Sequence, residues 1–385
     1  FVAGSKGLER VWRLEIDPRT LDVTGGPHQV TSLTEDTRRL RLSKDGRRLA
    51  FDAAQYWSAR LYSYALDASG RQITSTPLRL TPEGMSAWGP DLTQNGTVLA
   101  FQGTYPGNPK PLLELRVANL SDGSQRVLIS SDVGGGEFRF PLRWSPDGTR
   151  LTYRRQLGSM FSIQILDVRT RNEQALTSPV ASSSRETPYG WSIDGDFVIV
   201  SSLRYNPARA TIVLVPVSQA PKAEQRATKI TDSAEFNLWN ASMSPDGKWV
   251  CLQATRPGPQ AATHATGAEV SGPMSKLAVV SARGGPWIEI TDGTFWDDKP
   301  RWSADGRLLY FFSDRGGLFN VWAIAFDSTK GERTGDPFPV TTFTGVGEQA
   351  PVHFGTLDLG LGGGRLAIPV INPTGGIWML DNLKR

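Results

Sequence analysis

The chain has 385 residues, 39% of them hydrophobic, with 42 Lys and Arg against 38 Asp and Glu, a net charge of +4. So mild a balance over so long a chain argues against a nucleic-acid-binding face, and no apolar run approaches the ~20 residues of a membrane helix. The single cysteine, Cys251, excludes a disulfide within the chain and reads as a small buried apolar side chain.

The N-terminal stretch FVAGSKGLERVWRLEID reads as the end of a second strand followed by a third, with Val30 to Leu33 near a fourth. No secretory leader is visible, and Phe1 is expected to be a cut point inside a longer chain, of which residues 1–385 are a C-terminal fragment. From Arg41 onward one unit is written six times. The copies are RLSKDGRRLAFD from Arg41, DLTQNGTVLAFQ from Asp91, RWSPDGTRLTYR from Arg143, GWSIDGDFVIVS from Gly190, SMSPDGKWVCLQ from Ser242 and RWSADGRLLYFF from Arg301. Their turn glycines, Gly46, Gly96, Gly148, Gly195, Gly247 and Gly306, stand 47 to 59 residues apart. A fixed period of this size marks a repeat architecture.

Each copy predicts strand, tight turn, strand. In Ser145-Pro146-Asp147-Gly148 the proline presets a type I turn, the aspartate tolerates the next position and glycine takes the left-handed one. The hydroxyl at Ser43, Thr93, Ser145, Ser192, Ser244 or Ser303 is placed to cap the turn's amides. A third strand follows, as in ARLYSYALD from Ala59, FSIQILDVR from Phe161 and NVWAIAFD from Asn320. A shorter fourth follows that, as in RVLIS from Arg126 and PFPVTTF from Pro337. Four antiparallel strands per ~40–50 residues describe propeller blades. The predicted fold is all-β, a single β-propeller domain over residues 1–385. At the C-terminus RLAIPVINPTGGIWMLDN supplies a second and a third strand. Six full blades and two partial ones give eight, or seven if the partial ones merge.

Arg41, Arg143 and Arg301 recur at one repeat position, which predicts a recurring structural role such as an ion pair or an inter-blade contact. Trp144, Trp191 and Trp302 recur one residue later and are expected to pack between blades. No nucleophile elbow or P-loop is present. The glycine runs VGGGEF and LGLGGGRL read as loop and hairpin. His28, His264 and His353 are too scattered for a metal site. Asn95, Asn119 and Asn240 match a glycosylation sequon of the kind that chance supplies often.

The remaining place for function is the rim where fourth-to-first-strand and second-to-third-strand connections emerge. Its candidates for binding a ligand or partner are Trp57, Trp88, Arg139, Glu186, Trp239, Trp296, Asp297 and Asp298, with Arg38, Glu235, Arg204, Tyr205 and Arg256 beside them. Aromatic and charged groups converging on a rim are what a binding surface needs. The competing reading is that the tryptophans plug the channel and the carboxylates tie adjacent loops. One loop breaks the period: ATRPGPQAATHATGAEVSGPM, from Ala254 to Met274, reads as a lid, a docking arm or a tolerated insertion.

The W-S-P-D-G mark followed by a short apolar strand resembles the TolB-like, WD-repeat-like β-propeller family, over nearly the whole chain. The ending GRLAIPVINPTGGIWMLDNLKR and the unit VWAIAFDSTKGERTGDPFPVTTF are similar to the C-terminal propellers of bacterial multidomain signalling proteins. In those, a serine/threonine kinase or winged-helix regulator precedes the propeller. The resemblance implies a non-catalytic sensor or interaction module that binds a protein or small-molecule ligand, without cofactor or metal. It also implies an extracytoplasmic or periplasmic site and an anchor in a preceding region. Two alternatives stand beside it: the accessory gating propeller of a prolyl-oligopeptidase-type peptidase, and an envelope scaffold subunit of TolB type.

Overall fold

The computed structural model describes residues 2–5, 8–31, 36–54, 59–105, 112–132, 139–206, 208–220, 222–256, 275–344, 350, 358–371 and 375–381. These residues contain no α-helix. They divide into two compact units, residues 59–370 and residues 1–58 with 371–385.

Each Asp–Gly turn forms as the sequence dictates. In the copy at Arg143 the Ser145 hydroxyl donates to the Asp147 carboxylate and accepts the Arg150 amide at 2.9 Å, while the Gly148 amide closes the turn onto the Ser145 carbonyl at 2.9 Å. Gly148 has φ +67°, a conformation that costs a residue with a Cβ. The same hydroxyl–carboxylate pair recurs at Ser43 and Asp45, Ser192 and Asp194, Ser244 and Asp246, and Ser303 and Asp305. Thr93 and Asn95 repeat it with an amide.

In the unit 59–370 these hairpins begin five of six antiparallel sheets. Sheet 1 comprises Ser86–Leu92, Val98–Thr104, Leu112–Asn119 and Gln125–Asp132. Sheet 2 comprises Arg143–Trp144, Arg150–Leu157, Met160–Asp167 and Glu173–Ala175, with Val180–Ala181 added beside the third strand. Sheet 3 holds Glu186–Trp191, Phe197–Ser202, Thr211–Pro216 and Thr228–Thr231. Sheet 4 holds Asn237–Met243, Trp249–Thr255, Ser275–Ser281 and Ile288–Glu289, and sheet 5 holds Asp297–Trp302, Leu308–Ser313, Asn320–Asp327 and Glu332–Pro339. Sheet 6 joins Gly360–Gly362 and Arg365–Ile371 to Ala59–Ala65 and Leu78–Arg79.

The second strands explain why the sheets stack. They are apolar on both faces, and strict alternation sends each face to a different neighbour. Ala100 packs toward sheet 2 with Leu151 and Tyr153, whereas Leu99 and Phe101 pack toward sheet 6 with Leu61 and Ala367. Val198 and Val200 meet Ile163 and Ile165 of sheet 2, while Ile199 meets Val250 and Leu252 of sheet 4. Cys251 joins Leu309 and Phe311 of sheet 5, and Tyr310 and Phe312 join Leu366 and Ile368 of sheet 6. Six apolar clusters thus serve six interfaces, and the unit closes as a ring. At ~1.5–3 kcal/mol for each fully buried large side chain, this burial is the main force holding it together.

The unit formed by the two ends of the chain has two three-stranded sheets. One is Val2–Ser5, Leu8–Ile16 and Val23–Gln29; in the other, Leu49–Ala54 lies between Asp36–Leu42 and Gly375–Leu380. Their core is Val11, Leu49 and Phe51.

Strand pairing corrects the sequence reading in three places. Ala59–Ala65 is not the third strand of the hairpin that precedes it but pairs in sheet 6. Gly375–Leu380 pairs with Leu49–Ala54, with Trp378 opposite Phe51, instead of following Arg365–Ile371 in one blade. The two third strands are thus exchanged between two equivalent hairpins, and in sheet 6 Ala59–Ala65 covers the outward edge of Arg365–Ile371. Near the N-terminus the fourth strand, expected near Val30 to Leu33, is Val23–Gln29.

Candidate binding mouth of the ring

Because each Asp–Gly turn joins the end of a first strand to the start of a second, the start of the first strand and the end of the second lie together at the opposite end of the sheet. Seven of the eight rim candidates stand there, in three successive register positions counted back from the turn glycine. Trp296 is ten residues before it. Arg139, Glu186 and Asp297 are nine before, and Trp88, Trp239 and Asp298 are eight before. Trp57 lies outside the described residues, as do His264, His353 and residues 257–274 of the long loop.

The candidates divide sharply by environment. Asp297 is 0% exposed and accepts both 2.8 and 2.9 Å hydrogen bonds from Arg315. Glu186 is likewise buried and accepts from Arg204 at 2.9 Å. Each arginine follows its turn glycine by nine residues, so the same acid–arginine tie is built twice. Burial pushes both carboxyls above the usual range, and the paired guanidinium works against that shift. Asp298 is buried too; it accepts from Asn240 at 2.8 Å and from the Lys299 amide at 2.7 Å. Asn240 also donates to Gln253 at 2.7 Å. At 3% exposure Asn240 is no glycosylation acceptor in the folded chain. Arg139 is buried and donates to Ser131 at 3.1 Å.

Trp296, expected to be exposed, is 9% exposed; its backbone amide donates to the Asp314 carboxylate at 2.9 Å, and it bridges to Ser275 of sheet 4. Trp88 and Trp239, at one repeat position, remain half-buried. The Trp239 indole donates to Thr255 at 3.1 Å, and the Arg185 guanidinium lies 5.4 Å above its ring.

Deeper along the axis the recurring arginines meet. Arg143 of sheet 2 and Arg301 of sheet 5 donate to the two oxygens of Asp358, at 2.8 and 2.9 Å. Burial opposes the Asp358 charge, but the two arginines outweigh it and hold the carboxyl below its ordinary range. Asp91 accepts the Trp144 amide at 2.7 Å, and its burial pushes its carboxyl up to about 6. Sheets 2 and 5 are three steps apart in a ring of six, so this cluster spans the axis. Arg41, Arg143 and Arg301 each also donate to the carbonyl of the preceding residue. Trp144, Trp191 and Trp302 donate their indole N–H to Asp91, Arg143 and Ser242 carbonyls of the preceding sheet, at 3.1, 3.1 and 3.0 Å. Arg143, Arg301 and the three tryptophans are thus structural ties, whereas Arg41 is exposed and makes no such tie among the described residues. Cys251 is buried, and burial pushes its thiol up to about 12.

Sequence reasoning missed Asp358, which belongs to no copied motif, and the arginines Arg154 and Arg185 at the mouth. A signal for Arg154 existed: six residues after the turn glycine, the neighbouring copies place Gln102, Ser201, Gln253 and Phe312. No group of three or more metal-ligating side chains occurs among the described residues.

The sequence matches no protein-family model and no curated protein. Solved structures do match. TolB from Acinetobacter baumannii aligns with a TM-score of 0.50 and 16% identity over 83% of this chain and 67% of its own. A putative TolB from Agrobacterium tumefaciens aligns with a TM-score of 0.55 and 16% identity over 81% of this chain and 98% of its own. The fold is that of a TolB-like β-propeller. At 16% identity the likeness speaks for the fold and not for a shared ligand. No helix among the described residues is long and apolar enough to cross a membrane.

Proposed function

We propose that this propeller is a non-catalytic binding module whose mouth, where the first strands start and the second strands end, engages a ligand or partner. The supporting observation is the contrast among tryptophans. Trp144, Trp191 and Trp302 are buried between sheets with their N–H groups bonded, whereas Trp88 and Trp239 stay half-buried at the mouth. Aromatic side chains of this kind serve as anchors once a partner covers them. Beneath the surface Asp298 then holds Asn240 beside Trp239, while Glu186 and Asp297 brace sheets 3 and 5 and Arg139 holds Ser131 of sheet 1. Trp296 supports the same layer, and Trp57 is proposed as a further contact. The module is proposed to work at the end of a longer bacterial signalling chain, on the extracytoplasmic side; the similarity of its ending to such propellers supports this. Its fold also suits an envelope scaffold of TolB type.

The test is a random-peptide phage library panned against the full chain. Enriched clones are expected to lose binding to Trp239→Ala and Trp88→Ala while both variants keep the parent melting temperature within a few degrees. Clones that bind both variants as well as the parent would overturn the proposal.

A further inference from the structure

Two arginines at the mouth have no carboxylate partner among the described residues, whereas three others do. Arg204 is paired with Glu186, Arg315 with Asp297 and Arg155 with Glu173, the last at 3.6 Å. Arg154, near the end of the second strand of sheet 2, is half-buried and donates at 3.1 Å to Thr187 of sheet 3, with its guanidinium 5.0 Å above the Phe161 ring. Arg185 immediately precedes the first strand of sheet 3 and stands over Trp239 of sheet 4. Among the described residues neither takes part in an ion pair. The carboxylate between Arg185 and Thr187 in sequence, Glu186, is taken up by Arg204. Burial, then the charge of Arg185, pull the Arg154 guanidinium down to about 10, so the two cations feel each other.

Two half-buried cations, one of them bonded to Thr187 two residues along the strand from the other, are an unfavourable arrangement that an anion relieves. Each guanidinium lies over an aromatic ring, which leaves its charge uncompensated, and of Arg154's N–H groups one is engaged, by Thr187. The N–H edge of a guanidinium matches the two oxygens of a carboxylate in one plane. We infer that Arg154 and Arg185 form a carboxylate-binding subsite of the mouth, for an acidic peptide side chain or a small polycarboxylate. The inference rests on the binding role proposed for the mouth and names the chemistry of its ligand.

The experiment titrates the full chain with hexaglutamate, citrate and inorganic phosphate, following Trp239 fluorescence and binding heat. Hexaglutamate, citrate or both are expected to bind, and to bind at least ten-fold more weakly to Arg154→Gln and to Arg185→Gln. The surface variant Arg169→Gln should bind as the parent does. Hexaglutamate binding alone assigns the carboxylate to a peptide, and citrate binding alone assigns it to a small molecule. Melting temperatures of the variants separate loss of the subsite from loss of the fold. Binding of phosphate alone, no binding by any probe, or equal binding to parent and arginine variants would overturn the inference. Phage clones that need Trp239 but contain no acidic residue, and bind the arginine variants undiminished, would sink this subsite while leaving the mouth's binding role intact.

Discussion

Asp358 shows what a single residue does in this ring. It is fully buried and answers both Arg143 and Arg301, so removing it leaves two desolvated cations facing each other. Asp358→Ala is expected to cost about 3–5 kcal/mol in urea unfolding, the range for breaking a buried pair. Asp91, in the same cluster, behaves in the opposite sense. Its folded-state carboxyl is raised to about 6, above the ~3.9 of an unfolded aspartate, so the folded chain holds a proton that the unfolded chain has released. This group's contribution to stability is therefore full below pH ~4 and is lost as pH rises toward 6. The melting temperature of Asp91→Asn, compared with the parent across that window, should show a shallower decline. An unchanged decline would assign it to other groups. The arginines of this cluster were legible in the sequence because they repeat. Asp358 was not, because it sits outside every copy and acts only once the ring has brought sheets 2, 5 and 6 together.

At the scale of elements the hairpins were fully legible, since Ser, Asp and Gly at fixed spacing each meet a local need of one turn. Which third strand each hairpin accepts was not. Ala59–Ala65 and Gly375–Leu380 both follow an equivalent hairpin, and local sequence cannot choose between them. The choice is made by packing, with Leu61 and Tyr64 entering the clusters shared by sheet 6 with its neighbours. The glycine run of LGLGGGRL shows how tight that closure is. A Cβ on Gly362 would lie 2.2 Å from the Thr93 carbonyl oxygen, and Gly363, at φ +53°, would place one 2.1 Å from that of Asn95. The hairpins of sheets 1 and 6 therefore meet backbone to backbone. Gly362→Ala is expected to destabilise the chain by about 1–3 kcal/mol, as overpacking does. Gly123→Ala, at a turn with open space, gives the cost of left-handed backbone alone as the comparison.

For the whole molecule, the repeat period made the propeller readable before any contact was known. The rim was readable as a region but not in detail. Asp297 and Glu186 turn to arginines, Trp88 and Trp239 one register position later stay half-buried at the mouth, and Asp298 at that same position is buried against Asn240. Composition carries no trace of that difference. Fourth strands such as Gln125–Asp132 and Glu332–Pro339 form the outer edges and carry charge or proline, which discourages pairing there. Binding at the mouth thus makes a spatial claim that hydrogen exchange reads directly. With a peptide selected against the full chain, exchange should slow at Ser86–Trp88, Arg185–Tyr189 and Asn237–Trp239 and stay unchanged along the outer strands. Slowing confined to Gln125–Asp132 or Glu332–Pro339, with the mouth unaffected, would contradict the account.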